Sequence, residues 1–316
     1  MNMDKSISVS ILMPIYKVEQ YLEKTLDSIF TQTYPNIDYV FVDDCSPDNS
    51  LQVLEDTIAK YRIDRDRYII VNHQQNEGIA VSRTDCIANA KGDYIFFVDS
   101  DDWIEKDAVE EMVAATKGGI IDIVGCDYMK DFLSGKPTYH HENYSDSCRE
   151  NMLKCLNYEI ATVLWKLLIR KRLFDRFSIS PINIGEDYII SIKLFYYAES
   201  FVSLSKAYYH YVQYNENRLS FQKLRSLYDH VKCVNEVEKF MRDNCSYDDD
   251  INHRLLLRKF NIKSNFVLDK NIQDEKAFNN IFPEAKGIWR MMNYSRKEGF
   301  KFWLAEHRLF KILKIL

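Results

Sequence analysis

Asp99, Asp101 and Asp102 lie within four residues and directly follow the apolar segment Tyr94–Val98. Carboxylates this close repel one another, and their charge is costly unless it is paired or solvated. A divalent cation that prefers hard oxygen ligands would relieve the repulsion, so the cluster predicts a Mn²⁺ or Mg²⁺ site. The alternative is a solvated turn or a helix N-cap, since Asp and Ser favour both.

Polar residues also follow two earlier apolar segments. Asp44 follows the segment YVFV at 39–42, and its carboxylate could accept a hydrogen bond from the imide N–H of a uracil or thymine ring. A turn that caps the next helix is the competing interpretation. Tyr16 comes two residues after Pro14, where its ring could stack on a base or simply pack against the protein.

Charged residues near two predicted helix starts could take part in chemistry. Arg83 lies about one turn into a helix that follows Gly78, and it could face a phosphate or pair with Asp99. Glu186 and Asp187 begin another helical segment, where the helix dipole favours acids. Either carboxylate could instead act as a general base toward a sugar hydroxyl, which is a poor nucleophile.

His210 and Arg218 lie in the aromatic segment YYHYVQYNENRLS at 208–220. Their side chains could donate hydrogen bonds to a diphosphate. A structural role for a lone histidine is the alternative.

The elements that must position these residues alternate along the chain. Apolar segments predict strands, and segments with apolar residues three or four apart predict helices. This alternation predicts an α/β fold with a mostly parallel sheet, which binds ligands beyond the carboxyl ends of its strands. The polar residues described above fall at those ends. The predicted strands are Val9–Met13, Tyr39–Val42, Tyr68–Val71 and Tyr94–Val98, and the predicted helices are Glu19–Gln32, Asp48–Tyr61 and Ile79–Ala90.

The later part of the chain has a different pattern. The basic segment Trp165–Asp175 has apolar residues at helical spacing and predicts an amphipathic helix. Residues 221–316 predict an all-helical region. A length of 316 residues suggests about two domains.

Composition excludes several classes of protein. A net charge of −5 argues against a nucleic-acid partner. The seven Cys are odd in number and form no C-x-x-C pair, so we expect a reducing cytosol rather than a disulfide framework or zinc site. We see no signal peptide or membrane span. The motifs of P-loop enzymes, nicotinamide dehydrogenases and α/β-hydrolases are also missing.

Taken in order, the segments resemble family 2 glycosyltransferases of the GT-A fold. The resemblance is dense over residues 6–113 and patchy to about 220. It is carried by VSILMPIYKVEQYLEKTLDSIFTQTYPNIDYVFVDDCSPDNS, NEGIAVSRTDCIANAKGDYIFFVDSDDWIEKDAVEEM, WKLLIRKRLF, GED and HYVQYNENRLS. It implies a GT-A (Rossmann-like) catalytic domain at 1–220, with a nucleotide-sugar half at 1–105 and an acceptor half at 106–220, followed by a helical C-terminal region at 221–316.

The resemblance also implies roles for the donor-binding residues. Pro14, Tyr16 and Asp44 would hold the nucleotide base. Arg83 would brace the donor, and Asp99 would touch the ribose.

For the reacting end of the donor, the resemblance implies that Asp101, with Asp102, holds Mn²⁺ or Mg²⁺ against the diphosphate. Asp187 would be the catalytic base, with Glu186 as second choice. His210 would lie near the diphosphate. Arg218 would lie there too, although the family's late Arg/His block usually has a shorter pattern.

The reaction implied is inverting, metal-dependent transfer of a sugar from a nucleotide diphosphate-sugar, with UDP as the expected nucleotide, to a hydroxyl of a saccharide or lipid-linked glycan. Two alternatives are a sugar nucleotidyltransferase, whose Gly-rich first loop is missing here, and a non-catalytic nucleotide- or glycan-binding protein. A non-catalytic protein is expected to have lost the acidic residues of the site, and all of them are present here.

The C-terminal segment RKEGFKFWLAEHRLFKILKIL mixes basic and apolar residues. Such a composition suits an interfacial helix on anionic lipid, which would place the protein in the cytoplasm at the inner face of the plasma membrane. Packing against the catalytic domain or against a partner in a homo-oligomer is equally compatible with it.

Overall fold

The computed structural model describes residues 6–215, 223–244, 247–313 and 315. The chain divides into two compact units. The first contains Met1–Met152 and Ile160–Arg218, and the second contains Leu153–Glu159 and Leu219–Leu316. The functional boundaries predicted at residues 105 and 220 stay predictions.

The first unit is built on one mixed sheet with strand order β3-β2-β1-β4-β8-β6-β9-β5, and β7 pairs with β6. The strands are β1 Val9–Ile15, β2 Ile37–Asp43, β3 Tyr68–Asn72, β4 Tyr94–Phe97, β5 Trp103–Ile104, β6 Ile123–Asp131, β7 Thr138–His140, β8 Leu167–Arg170 and β9 Phe201–Val212. The helices up to residue 197 are α1 Glu19–Phe30, α2 Ser50–Tyr61, α3 Ile79–Asn89, α4 Ala108–Ala115, α5 Cys148–Leu156 and α6 Glu186–Tyr197. Of these, α5 begins in the first unit and ends in the second. A 3₁₀ turn at Arg65–Arg67 precedes β3.

The strands β1–β4 pair in parallel, as the alternation of elements predicted. Every residue of β1 and β4 is buried, which explains why both read as continuous apolar runs in the sequence. The helix α1 buries Leu22, Leu26 and Ile29, whose spacing places them on one face. The predicted α/β fold is therefore confirmed, with a sheet that becomes mixed beyond β4.

The prediction of an amphipathic helix at Trp165–Asp175 is wrong. This segment forms β8, antiparallel to both β4 and β6, followed by a 3₁₀ helix at Lys171–Arg176. Leu167, Leu168 and Ile169 are all buried. Three successive residues cannot share one face of a helix, whereas a strand in mid-sheet can bury both of its faces.

The second unit is helical, as predicted. Its helices within the described residues are α7 Lys223–Asn244, α8 Asp249–Leu268, α9 Glu275–Asn280, α10 Arg296–Glu306 and α11 Phe310–Leu313, with 3₁₀ turns at Pro283–Ala285 and Ile288–Met291. Lys259 on α8 is buried and bridges Glu238 and Glu284, each at 2.6 Å. Among the helices that the structure describes, none combines the length and the apolar character needed to cross a bilayer.

Candidate active site

Pro14 and Tyr16 mark the carboxyl end of β1. Pro14 is buried within the strand, in register with Val42 of β2. Tyr16 follows the strand directly and is 46% exposed. An exposed ring beside the buried edge of a sheet offers a flat apolar face to a planar ligand.

Asp43 and Asp44 end β2, and the two carboxylates have different partners. Asp44 is 4% exposed. Its Oδ1 accepts hydrogen bonds from His73 Nδ1 (2.7 Å) and the Glu77 N–H (2.7 Å), and its Oδ2 accepts one from the Gly78 N–H (2.8 Å). A carboxylate has about four acceptor positions, so one remains on Oδ2.

Asp43 lies at the same strand end as Asp44, and the sequence predicts the base contact for Asp44 alone. Its Oδ2 accepts a hydrogen bond from the Ser46 N–H at 3.2 Å. Its Oδ1 is buried and has no hydrogen-bond partner within the described part of the chain. Buried acceptors are nearly always satisfied, so Asp43 is a second candidate for the contact predicted for Asp44.

His73 links Asp44, at the end of β2, to Asp85 of α3. Its Nδ1 faces Asp44, and its Nε2 lies 2.9 Å from Asp85 Oδ2. Only the protonated ring can donate to both carboxylates. Burial lowers the pKa of His73, but the two carboxylates outweigh this effect and raise the pKa above its usual value.

Arg83 brings three predicted site residues together. The guanidinium is 3% exposed. Its Nη2 lies 3.4 Å from Asp99 Oδ1 and 3.4 Å from Asp187 Oδ1, and its Nε lies 3.3 Å from Glu186 Oε1. The remaining nitrogen, Nη1, is buried and has no hydrogen-bond partner among the described residues. One cation among three carboxylates leaves this cluster with an excess of negative charge.

Burial and neighbouring charges together shift the pKa values of the two acids at the start of α6. Burial raises the pKa of Asp187 well above its usual range, Arg83 opposes the shift, and the charges of Glu186 and Asp99 reinforce it. Burial likewise raises the pKa of Glu186 against the effect of Arg83. Asp187 is the more accessible of the pair, with its side chain 18% exposed against 9% for Glu186. A carboxylate with a raised pKa is a stronger base.

Gly78 allows the loop before α6 to approach α3. Its φ of +92° is a conformation that glycine adopts easily, and a Cβ there would lie 2.3 Å from the Asn183 side chain. Asn183 Oδ1 in turn accepts a hydrogen bond from the Ala80 N–H at 3.2 Å. This close contact holds the loop that precedes Glu186 and Asp187 next to the helix that carries Arg83.

The acidic turn at 99–102 is held by β9 and the residues that follow it. Tyr209 Oη accepts a hydrogen bond from the Asp99 N–H (3.0 Å) and donates one to Asp102 Oδ2 (2.8 Å). The Val212 N–H donates to Asp102 Oδ1 at 2.8 Å. Asn215 Nδ2 donates to Asp101 Oδ2 at 2.8 Å. The turn is therefore fixed by side-chain and backbone groups more than one hundred residues away in sequence.

These bonds separate the two acids predicted to hold a metal. Asp102 is 1% exposed and both of its oxygens bond within the protein. Burial raises the pKa of Asp102 well above its usual range, the charges of Asp101 and Asp99 add to the shift, and the hydrogen bonds from Val212 and Tyr209 oppose it. Because both Asp102 oxygens already bond within the protein and the Asp101 side chain is partly exposed, the structure favours Asp101 over Asp102 as a cation ligand.

Asp101 fits a metal site that the substrate completes. Its side chain is partly exposed and lines a cleft. Within the described residues, no group of three or more His, Cys, Asp or Glu could hold a metal ion by itself. Mg²⁺ typically needs only one or two protein carboxylates when phosphates and waters supply the other oxygens.

The diphosphate contact predicted for His210 stays a prediction, and in this structure both ring nitrogens face carboxylates. Its Nε2 lies 3.0 Å from Glu105 Oε1 and its Nδ1 lies 3.2 Å from Asp131 Oδ1. Its ring stacks on Trp103, with centroids 3.4 Å apart. Both ring nitrogens are engaged by carboxylates, so the structure gives His210 a role in packing β5 against β9. Arg218 lies outside the described residues.

Comparison with known proteins identifies the family. The family described as Glycosyl transferase family 2 matches residues 10–185, more than half of the chain. This protein belongs to glycosyltransferase family 2. Glycosyltransferase GlyA of Streptococcus pneumoniae is 33% identical over 214 residues, covering 64% of this chain and 30% of GlyA. Putative glycosyltransferase EpsH of Bacillus subtilis is 32% identical over 213 residues, covering 65% of this chain and 60% of EpsH.

The alignments span less than two thirds of the length of these relatives.

Solved structures of low identity share the fold of this glycosyltransferase. TarS 1–349 of S. aureus, solved with UDP-GlcNAc, has a TM-score of 0.72 at 18% identity, covering 98% of this chain and 90% of TarS 1–349. The mannosyltransferase PcManGT of Pyrobaculum calidifontis, solved with GDP-Man and Mn²⁺, has a TM-score of 0.58 at 14% identity, covering 98% and 82%. The predicted GT-A fold is confirmed.

Proposed function

We propose that this family 2 glycosyltransferase is an inverting, metal-dependent enzyme. It moves a sugar from a UDP-sugar to a hydroxyl of a saccharide or lipid-linked glycan. The observation that carries the proposal is the cluster in which Arg83 contacts Asp99, Glu186 and Asp187. The cluster joins the end of β4, which would face the donor, to the start of α6, which would carry the catalytic base.

The donor base would lie at the ends of β1 and β2. Tyr16 would stack on the uracil ring, beside Pro14, and Asp44 or Asp43 would accept the hydrogen bond from its imide N–H. Asp99 would contact the ribose. The structure of TarS with UDP-GlcNAc supports a uridine nucleotide as the first donor to test.

Asp101 would hold Mn²⁺ or Mg²⁺ against the donor diphosphate. When bound, such an ion stabilises the negative charge that grows on the departing diphosphate. Asn215 fixes the Asp101 carboxylate by its 2.8 Å hydrogen bond. Arg83 contributes a buried positive charge, and the N–H groups of its Nη1 have no hydrogen-bond partner among the described residues.

Asp187 would take the proton of the acceptor hydroxyl. The acceptor oxygen forms a bond to the anomeric carbon from the face opposite the diphosphate, and the bond from that carbon to the diphosphate oxygen breaks. The bonding pair leaves with UDP, and the proton goes to an Asp187 carboxylate oxygen. The raised pKa of Asp187 strengthens its affinity for that proton.

The test is incubation of the full chain with a panel of UDP-sugars and Mn²⁺, with quantification of UDP. Slow UDP release by hydrolysis, abolished in Asp101→Ala and retained in the exposed control Glu55→Gln, would support the proposal. Formation of UTP and sugar 1-phosphate when pyrophosphate is added to the UDP-sugar, without release of UDP, would instead support a nucleotidyltransferase. Nucleotide binding without turnover would indicate a non-catalytic binding protein.

The functional division of the chain is part of the same proposal. Residues 1–105 would bind the nucleotide-sugar and 106–220 the acceptor, while residues 221–316 would form a helical extension. The enzyme would act in the cytoplasm. Homo-oligomer formation stays a prediction.

A further inference from the structure

A cleft of about 540 Å³ lies between α1, the acidic turn at 99–102 and the end of β9. The proposed uracil-binding and Arg83 clusters do not contribute to its lining among the described residues, so the cleft is available to a ligand other than the nucleotide base. Its volume falls in the range of small-molecule sites. Residues that line it include Gln20, Tyr21, Lys24, Asp101, Leu133 and Tyr214.

The cleft has aromatic walls. The rings of Tyr21 and Tyr214 have centroids 6.0 Å apart and planes inclined at 50°. Both residues are partly exposed, and Leu133 at the margin is 85% exposed. Aromatic side chains combine an apolar face with a polar hydroxyl, and Gln20 adds an amide. Such a lining suits a ligand with both C–H faces and hydroxyl groups, such as a sugar or polyol.

Lys24 supplies a positive charge at the same place. Its Nζ lies 4.5 Å from the centroid of the Trp103 ring. No carboxylate within the described residues forms an ion pair with Lys24, although it lies close enough to Asp131 and Asp102 to feel their charges. Burial lowers the pKa of Lys24, and those two charges oppose the shift. Lys24 is exposed and lines the cleft, so its ammonium can contact an anion bound there.

We propose that this cleft binds an acidic unit of the acceptor glycan. The sugar or polyol of that unit lies against Tyr21 and Tyr214, and its carboxylate or phosphate contacts Lys24. The inference rests on the proposed transferase function, because Asp101 belongs to both the cleft and the proposed metal site. It adds a substrate class, an anionic glycan, that the family alone does not fix.

The test measures binding of four probes by ligand-observed NMR with EDTA present, so that no cation at Asp101 attracts the anion. The probes are methyl β-D-glucuronide, ribitol 5-phosphate and their neutral counterparts, methyl β-D-glucoside and ribitol. We expect the acidic probes to bind about tenfold more tightly than the neutral ones. Lys24→Met should remove this preference, and the exposed control Lys106→Met should keep it. The stronger acidic probe identifies uronate or polyol phosphate as the source of the charge.

Equal binding of acidic and neutral probes would overturn the inference, as would an unchanged preference in Lys24→Met. Tyr21→Ala provides a second variant, in which all four probes should weaken together. UDP-sugar hydrolysis by the wild-type protein is measured in parallel. Absence of hydrolysis would count against the proposed function, while the binding of the acidic probes would still decide the nature of the cleft.

Discussion

The hydroxyl of Tyr209 donates a hydrogen bond to Asp102 Oδ2 at 2.8 Å, while it accepts one from the backbone N–H of Asp99 at 3.0 Å. The ring that carries this hydroxyl is buried and stacks on Trp165, with centroids 4.3 Å apart. One rigid side chain therefore sets the shape of the acidic turn. The two acids also differ in their surroundings, because both oxygens of Asp102 bond within the protein whereas the Asp101 side chain is partly exposed.

This difference in surroundings predicts different outcomes for two similar substitutions. Asp101→Asn should lower turnover with Mn²⁺ by about 10²–10³, the usual cost of one lost electrostatic contact. Asp102→Asn should keep most of the activity, since an amide can still accept from the Val212 N–H and donate to Tyr209. The measurement is kcat for UDP release over a Mn²⁺ titration. Equal losses in the two variants would contradict the assignment of Asp101 as the preferred ligand.

The burial of Asp102 predicts an effect on stability. A carboxyl whose pKa is higher in the folded state than its unfolded value of about 3.9 makes the fold less stable as pH rises through the interval between them. Burial raises the pKa of Asp102 in this way. Asp102→Asn should therefore reduce the loss of melting temperature on going from pH 4 to pH 8. A steeper loss in the variant than in the wild type would show that the carboxylate form is the stabilising one.

The cluster around Arg83 predicts the pH dependence of catalysis. Asp187→Asn should lower transfer by about 10²–10⁴, the usual contribution of a general base, while UDP affinity changes little. Activity of the wild type should fall as pH drops through the raised pKa of Asp187. Glu186→Gln removes a neighbouring negative charge, so the pKa of Asp187 should decrease and the acid limb of the kcat/KM profile should move to lower pH. The surface variant Glu55→Gln should leave the profile in place; an unmoved profile in Glu186→Gln would argue against the proposed base.

The bridge from His73 to Asp44 and Asp85 predicts a second pH effect. The pKa of His73 is raised in the folded state, so its stabilising effect is complete below the unfolded value of about 6.5 and is lost as pH rises through the folded value. The melting temperature of the wild type should therefore fall more between pH 6.5 and pH 9 than that of His73→Gln. The control is His141→Gln, because the His141 side chain is 64% exposed and its pair with Asp127 should contribute little. Parallel curves for wild type and His73→Gln would refute the bridge.

The predicted membrane contact can be tested on α10. Phe300 and Trp303 are 50% and 40% exposed, and their rings stack with centroids 6.1 Å apart. Exposed aromatic rings next to basic residues are typical of helices that bind anionic lipid. The full chain should float with phosphatidylserine vesicles, and the double substitution of Phe300 and Trp303 by Ser should abolish flotation. Ile120→Ser, which removes an exposed apolar residue of the first unit, is the matched control; equal flotation of all three proteins would exclude this surface.

The sequence by itself determined the parallel part of the fold and the location of most candidate residues. Strands buried on both faces are continuous apolar runs, and polar residues at their carboxyl ends need no tertiary information to be noticed. Local spacing could not distinguish β8 from an amphipathic helix, because LLIR is compatible with both until its neighbours in the sheet are known. It also could not separate Asp101 from Asp102 or Asp43 from Asp44, since neighbouring identical residues differ only in the direction of their side chains.

Only the tertiary structure decided the partners of these residues. Tyr209 contacts the acidic turn, Asp187 contacts Arg83, and His210 contacts Glu105 and Asp131. These contacts join residues that are 79 to 107 positions apart in sequence. The burial that raises the pKa values of Asp102 and Asp187 arises from the same packing. The sequence specifies which side chains carry carboxyl and basic groups. Their charge states depend on which other groups lie next to them in the folded chain.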